Sequence, residues 1–145
     1  MKDDVFLAKL EACTLEPSAF GHGGHVRAAY LILTIEPSFG LALDRMTRTI
    51  KAYAASLGAH GKYHETITVA SMAVINARIC ENGPFKNWRA FAAANPDLLA
   101  GSRWLNRYYR GDALNCDLAR TAFLLPGWAA SDRPVAASSG LTAVE

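Results

Sequence analysis

Tyr63-His64-Glu65-Thr66-Ile67-Thr68-Val69-Ala70-Ser71-Met72-Ala73-Val74-Ile75-Asn76-Ala77-Arg78-Ile79 is the stretch whose reading decides the fold. From Thr66 to Ile75 it carries no charge and little polar surface, so it is expected to be buried on nearly every side. Its β-branched residues Ile67, Thr68, Val69, Val74 and Ile75 would suit a strand. About sixteen residues without Gly or Pro is long for one, however, and the segment reads as a helix. Asn82-Gly83-Pro84 supplies its end, since Asn or Gly takes a left-handed cap and Pro stops further winding.

The same grammar extends in both directions. Asp3 or Asp4 is expected to cap a first helix with Val5, Leu7, Leu10 and Phe6 on its apolar side, ending near Cys13. A second helix opens near His22 to His25 and stops at Glu36-Pro37. Ser38 caps a third, from Phe39 to Leu57, with Leu41, Leu43, Met46, Ile50, Tyr53 and Ala54 at helical spacing and Arg45, Arg48 and Lys51 toward solvent. Trp88 to Ala94 makes a short helix, and Asn95-Pro96-Asp97 reads as a stop followed by a new start. Leu98 to Leu125 divides into short helical pieces. The expectation is an all-α fold: one compact bundle of about five to seven helices over residues 1–126, with residues 127–145 as an irregular or mobile tail.

Composition narrows the function classes. A chain of 145 residues with 51% hydrophobic content is long enough for one core, and 19% charged residues with a net charge of +2 leave no clustered basic footprint. Nucleic acid and anionic membranes are therefore not expected partners. No apolar run reaches the roughly 18 residues of a membrane span, and Met1-Lys2-Asp3-Asp4 has the wrong charge pattern for a secretory signal. Cys13, Cys80 and Cys116 are odd in number and widely spaced, which fits reduced thiols in a cytoplasm better than a disulfide framework or thiolate zinc site. A homodimer is compatible with all of this.

The four histidines fall in two windows, His22 with His25 and His60 with His64. If the second, third and fourth helices run up, down and up, as short connections require, the second and fourth are parallel and their opening turns lie at one end of the bundle. A rule of folding thus brings four imidazoles into one neighbourhood. His22 and His25 are a turn apart on one face; His64 precedes Ile67, Thr68 and Ser71 on its own, while Glu65 points about 100° away. His22, His25 and His64 are the candidate ligands of a divalent transition metal, Zn, Fe or Cu. His64, Glu65, Tyr63 and Arg27 are the candidate catalytic groups, with Arg27, Lys51, Lys62 or Arg107 available to an organic acid. His and Glu also occur at helix starts for purely structural reasons, and the Arg107-Tyr108-Tyr109-Arg110 cluster equally suits ring packing with its guanidinium groups in solvent. There is no nucleophile in a G-x-S-x-G setting and no glycine-rich phosphate loop followed by Lys-Ser/Thr.

Phe20-Gly21-His22-Gly23-Gly24-His25-Val26-Arg27, Tyr63-His64-Glu65-Thr66-Ile67-Thr68, Asn95-Pro96-Asp97-Leu98-Leu99 and Arg107-Tyr108-Tyr109 together resemble a group of short, uncharacterised bacterial proteins. The likeness runs from about Phe20 to Pro126. In that group the residue before the second His is often Asp, where this chain has Gly24. The resemblance sharpens the choice of residues and implies no particular chemistry. Three functions follow from the residues: a small helical metal enzyme acting on a small organic molecule, a metal-free acid/base enzyme at the same site, or a helical binding module.

Overall fold

The computed structural model describes residues 1–128, and the expected tail from 129 onward lies outside the described residues. The described chain is all-α, with seven α-helices and no strand among the described residues. They are α1 (Asp3–Glu11), α2 (His22–Ile35), α3 (Phe39–Ser56), α4 (Glu65–Asn82), α5 (Trp88–Ala94), α6 (Pro96–Leu99) and α7 (Asp117–Thr121), joined by short loops and 3-10 turns. None of these helices is long and apolar enough to cross a membrane.

Helix ends follow the local chemistry. The Ser38 side chain accepts a hydrogen bond from the Leu41 N–H (3.2 Å) at the start of α3, and Asn87 does the same for Ala90 (2.9 Å) at the start of α5. Gly58, at φ +71°, closes α3 in the left-handed region that favours glycine. At α1 the cap position falls on Lys2, which makes no side-chain bond, and the expected caps Asp3 and Asp4 lie inside the first turn, Asp3 paired with Arg27.

The core forms where α2 packs on α3 and α4. Ala28 and Ala42 are fully buried, and Phe6, Leu10, Ile32, Met72, Ile75, Phe91 and Leu98 supply the bulk of the core. Within α1 it is Phe6 that is buried, and Val5 faces out. Tyr30, Phe85, Trp88 and Phe91 form an aromatic cluster, Phe91 lying 4.8 Å from Tyr30 and edge-on to Phe85 at 5.2 Å.

Two further differences from the sequence reading have simple causes. Helix α4 buries Thr66, Ala70, Met72 and Ile75 but leaves Ala73, Ala77 and Cys80 exposed, an arrangement that small side chains tolerate at little hydrophobic cost. Arg45 does not extend to solvent: it bridges Glu11 at the end of α1 (2.7 Å) and Glu36 after α2 (2.9 Å), tying three helices together.

The connection after α4 positions the last wall of the bundle. Arg78 binds both carboxylate oxygens of Asp97 (2.7 and 2.8 Å) and the side-chain oxygen of Asn95 (3.0 Å), while the buried Asn95 amide donates to the Phe91 carbonyl (2.8 Å). The Asn95-Pro96 break is thereby clamped to α4. Leu98, two residues on, is driven into the core.

Candidate functional site

A cavity of about 350 Å³ lies among α2, α3, α4, α6 and the 3-10 turn Arg103–Arg107. Its lining comes from the opening turns to the middle of α2 (His22, His25, Val26, Ala29), the middle of α3 (Met46, Ile50) and the first turn to the middle of α4 (Ile67, Thr68, Ser71, Met72, Ile75). Residues from the opening turns of both α2 and α4 thus meet in one cavity, as the short connections predict. Leu98, Trp104 and Leu105 close the remaining side.

The cavity is divided by polarity. Val26, Ala29, Met46, Met72, Ile75 and Leu98 are buried and make an apolar floor. His22, His25 and Ser102 are exposed and Thr68 and Ser71 half-buried, so the polar groups gather at the rim. No Asp, Glu, Lys or Arg lines it.

The two rim histidines are oriented by backbone carbonyls. His22 Nε2 lies 2.6 Å from the Leu98 carbonyl oxygen, and His25 Nδ1 lies 2.9 Å from that of Gly21. A carbonyl oxygen only accepts, so each of these nitrogens carries the proton and donates it. In the neutral rings the lone pairs are therefore His22 Nδ1 and His25 Nε2. The His25 ring also stacks on Phe20, centroids 3.9 Å apart. Although part of His25 stays open to solvent, desolvation where its ring packs on Phe20 pushes its pKa below the ordinary imidazole value of about 6.5, the Gly21 hydrogen bond partly offsets this, and the nearby His22 adds to the lowering.

The other residues singled out by the sequence lie elsewhere. His64 is the N-cap of α4: its Nδ1 accepts from the Ile67 N–H (3.2 Å) and its Nε2–H donates to the Leu114 carbonyl (2.7 Å). Both ring nitrogens are occupied. Tyr63 donates to Glu65 (2.7 Å) and, with His60, Lys51 and Arg120, belongs to a separate open cleft. Burial, then the adjacent Glu65 carboxylate, raises the Tyr63 pKa. Arg27 reaches away from the cavity to Asp3, its Nε at 3.0 Å, and to the Met1 carbonyl at 2.7 Å, with its guanidinium over the Phe6 ring.

The expected metal set of His22, His25 and His64 therefore does not fit one ion. His64 has no free nitrogen, which leaves one each on His22 and His25, too few for a ligand set. Among the described residues no group of three or more His, Cys, Asp or Glu is placed to hold a metal. No family model, no curated protein and no solved structure matches this chain.

Sequence reasoning missed Leu98, Ser102 and Trp104 as cavity residues. The Asn95-Pro96 break marked a change of direction, but its clamp by Arg78 is a contact across 17 residues that no local pattern reveals.

Three expectations follow from these contacts. His64→Ala should lower stability in urea by about 1–3 kcal/mol, through a lost cap and an unsatisfied Leu114 carbonyl. A metal ligand would instead leave the metal-free protein's stability nearly unchanged.

At Gly24 an added Cβ would sit 2.6 Å from the Ala19 carbonyl oxygen and 3.2 Å from Phe20. The gain in helix propensity, up to about 1 kcal/mol, is smaller than the roughly 1–3 kcal/mol of forced backbone movement. Gly24→Ala should therefore destabilise and disturb the Phe20–His25 stack. Gly40→Ala in α3, where nothing lies within 4 Å, should leave stability unchanged or slightly raise it. Equal effects at the two positions would contradict this.

The depressed His25 pKa means that the unfolded chain binds more protons near and below pH 6.5, so this contribution is full above that pH and is lost as pH falls. Glu11, lowered chiefly by its hydrogen bond to Arg45, and Asp97, lowered chiefly by Arg78, give a second loss below the usual carboxylate values. Urea midpoints across pH should fall in two stages, and His25→Gln should remove only the upper one.

Proposed function

We propose that this protein binds a small, mostly apolar organic molecule in the cavity between α2, α3 and α4, with His25 poised to accept a proton from it. The observation that carries the reading is an uncharged apolar chamber whose rim presents an unpartnered imidazole nitrogen, His25 Nε2, among the described residues. A lowered pKa keeps that nitrogen unprotonated at neutral pH, the state required of a general base.

Size sets the ligand. A dry 150 Å³ cavity in another protein accommodates benzene, so about 350 Å³ suits roughly a dozen non-hydrogen atoms. At about 0.5 kcal/mol per atom, such a ligand gains about 6 kcal/mol, a Kd of tens of micromolar.

The organic acid expected from the sequence is disfavoured. Arg27 is engaged by Asp3, and no cation lines the cavity. The partial positive charge of the α2 N-terminus offers an anion only about 0.3–1 kcal/mol, against roughly 1–3 kcal/mol for a carboxylate facing unprotonated imidazole nitrogens. The expected metal is not invoked, because His64 is fully occupied.

The test is thermal unfolding of the protein with uncharged bicyclic molecules of ten to fourteen heavy atoms at about 1 mM. Stabilisation of about 2 kcal/mol, seen as a saturable rise of several degrees in Tm, is expected for the best fits. No saturable shift across such a set would contradict the reading. Turnover would then be sought as loss of a substrate proton to solvent, abolished by His25→Gln.

A further inference from the structure

We infer that the open cleft between α3, α4 and α7 binds a phosphate group, at a site that shares no lining residue with the apolar cavity. The cleft holds about 550 Å³ and is lined by Lys51 of α3, His60 and Gly61 of the turn before α4, Tyr63, Glu65 of α4 and Arg120 of α7. Lys51, His60, Tyr63 and Glu65, all marked for chemistry by the sequence, thus meet here and not at the cavity.

The two permanent cations of the cleft are held by neutral groups. The Lys51 ammonium sits over the Tyr63 ring, 4.7 Å from its centroid, and the Arg120 guanidinium donates to the Gly61 carbonyl at 3.4 Å. Neither has a carboxylate within 4.0 Å among the described residues, whereas the half-buried Arg27, Arg45 and Arg78 are each paired with Asp or Glu. Lys51 makes no hydrogen bond among the described residues and Arg120 makes only the one to Gly61 with its side chain, so charged donors from two helices stay unanswered.

One carboxylate faces the same space. Glu65 accepts the Tyr63 hydroxyl at 2.7 Å and forms no ion pair with either cation. Its charge sets the requirement on the ligand, because a monoanion would gain little once repulsion by Glu65 is subtracted. A phosphate carries close to two negative charges at neutral pH and directs several oxygens at donors on different helices. It answers both cations and keeps a net attraction beside Glu65. The volume left over accommodates an organic group attached to the phosphate.

Amide NMR titrations of the full-length protein at pH 7.5 and low salt compare phenyl phosphate, inorganic phosphate and benzoate. Phenyl phosphate is expected to give saturable shifts at Gly61, Glu65 and Thr121, with a Kd of about 1 mM or tighter and at least about tenfold tighter than benzoate. Tighter binding of phenyl phosphate than of inorganic phosphate assigns the site to a phosphorylated molecule, and equal binding assigns it to the free ion.

Lys51→Met keeps the stem over the Tyr63 ring, and Arg120→Gln keeps a donor for Gly61. Each should fold and weaken binding about fivefold, and Glu65→Gln should strengthen it by a similar factor. Absence of saturable binding by both phosphates, benzoate binding as tightly as phenyl phosphate, or unchanged affinity in both Lys51→Met and Arg120→Gln overturns the inference. The apolar cavity is probed by uncharged molecules and stands or falls separately.

Discussion

Ser71→Trp should weaken binding of any cavity ligand by more than about a hundredfold while leaving the protein folded. Ser71 is half-buried and lines the cavity from α4, between Thr68 at the rim and Ile75 on the floor. An indole at that position needs a volume comparable to a bicyclic ligand and finds it in the chamber. It therefore occupies the space a ligand needs without displacing packed side chains. Filling apolar space offsets the strain of a larger residue, so the Tm should change little or rise. Ligand stabilisation, calorimetric heat and any turnover should disappear together. A variant that binds the same probes with unchanged affinity would show that they sit elsewhere, and a second variant, Ala29→Phe, approaches the same space from α2.

Thr66→Val should cost about 3 kcal/mol, a large share of the roughly 5–15 kcal/mol that holds a domain of this size together. Thr66 is fully buried, and its hydroxyl lies 2.6 Å from the Ala119 carbonyl and 2.9 Å from that of Ala122, while accepting from the Leu124 N–H at 3.1 Å. One side chain on the first turn of α4 thus gathers α7 and the strand of chain that follows it. Valine keeps the shape but leaves buried backbone groups without partners, and each such group costs about 1–3 kcal/mol. Thr66→Ser retains the hydroxyl and should cost only about 1 kcal/mol for the lost methyl. Urea denaturation measures both, and amide exchange at 117–125 should accelerate in Thr66→Val before the rest of the chain does. Equal losses for Val and Ser would assign the effect to packing.

Much of the architecture was legible because it rests on local rules. Ser38, Gly58 and Asn95-Pro96 mark helix boundaries by the conformations their residues permit, and α4 ends at Asn82 before Pro84 as expected, but with Gly83 extended (φ −93°, ψ −168°) and not in a left-handed cap. Short connections favour α2 and α4 running the same way, and Val26 and Ala29 do line one cavity with Ile67 and Ser71. Which imidazole keeps a free nitrogen beside the cavity was not legible. It depends on where carbonyls of residues 76 and 50 positions away come to lie, Leu98 beside His22 and Leu114 beside His64. His64 looked like a ligand because it stands at a helix start, and that same place makes it a cap. Arg27 reads as a substrate clamp in isolation, but Asp3, 24 residues earlier, takes its guanidinium. Spacing along a helix reports which face a side chain occupies, and it is silent on which partner arrives there.

The most direct test of the cavity as a binding site is a titration of the methyl-labelled protein with 2-naphthol, followed by NMR. Saturable shifts confined to the methyl groups of Met46, Ile50, Ile67, Met72, Ile75 and Leu98, all of which line the chamber, are the expected result. Shifts that never saturate, or that fall on exposed methyls such as Leu41 and Leu57 while these six stay still, would contradict it.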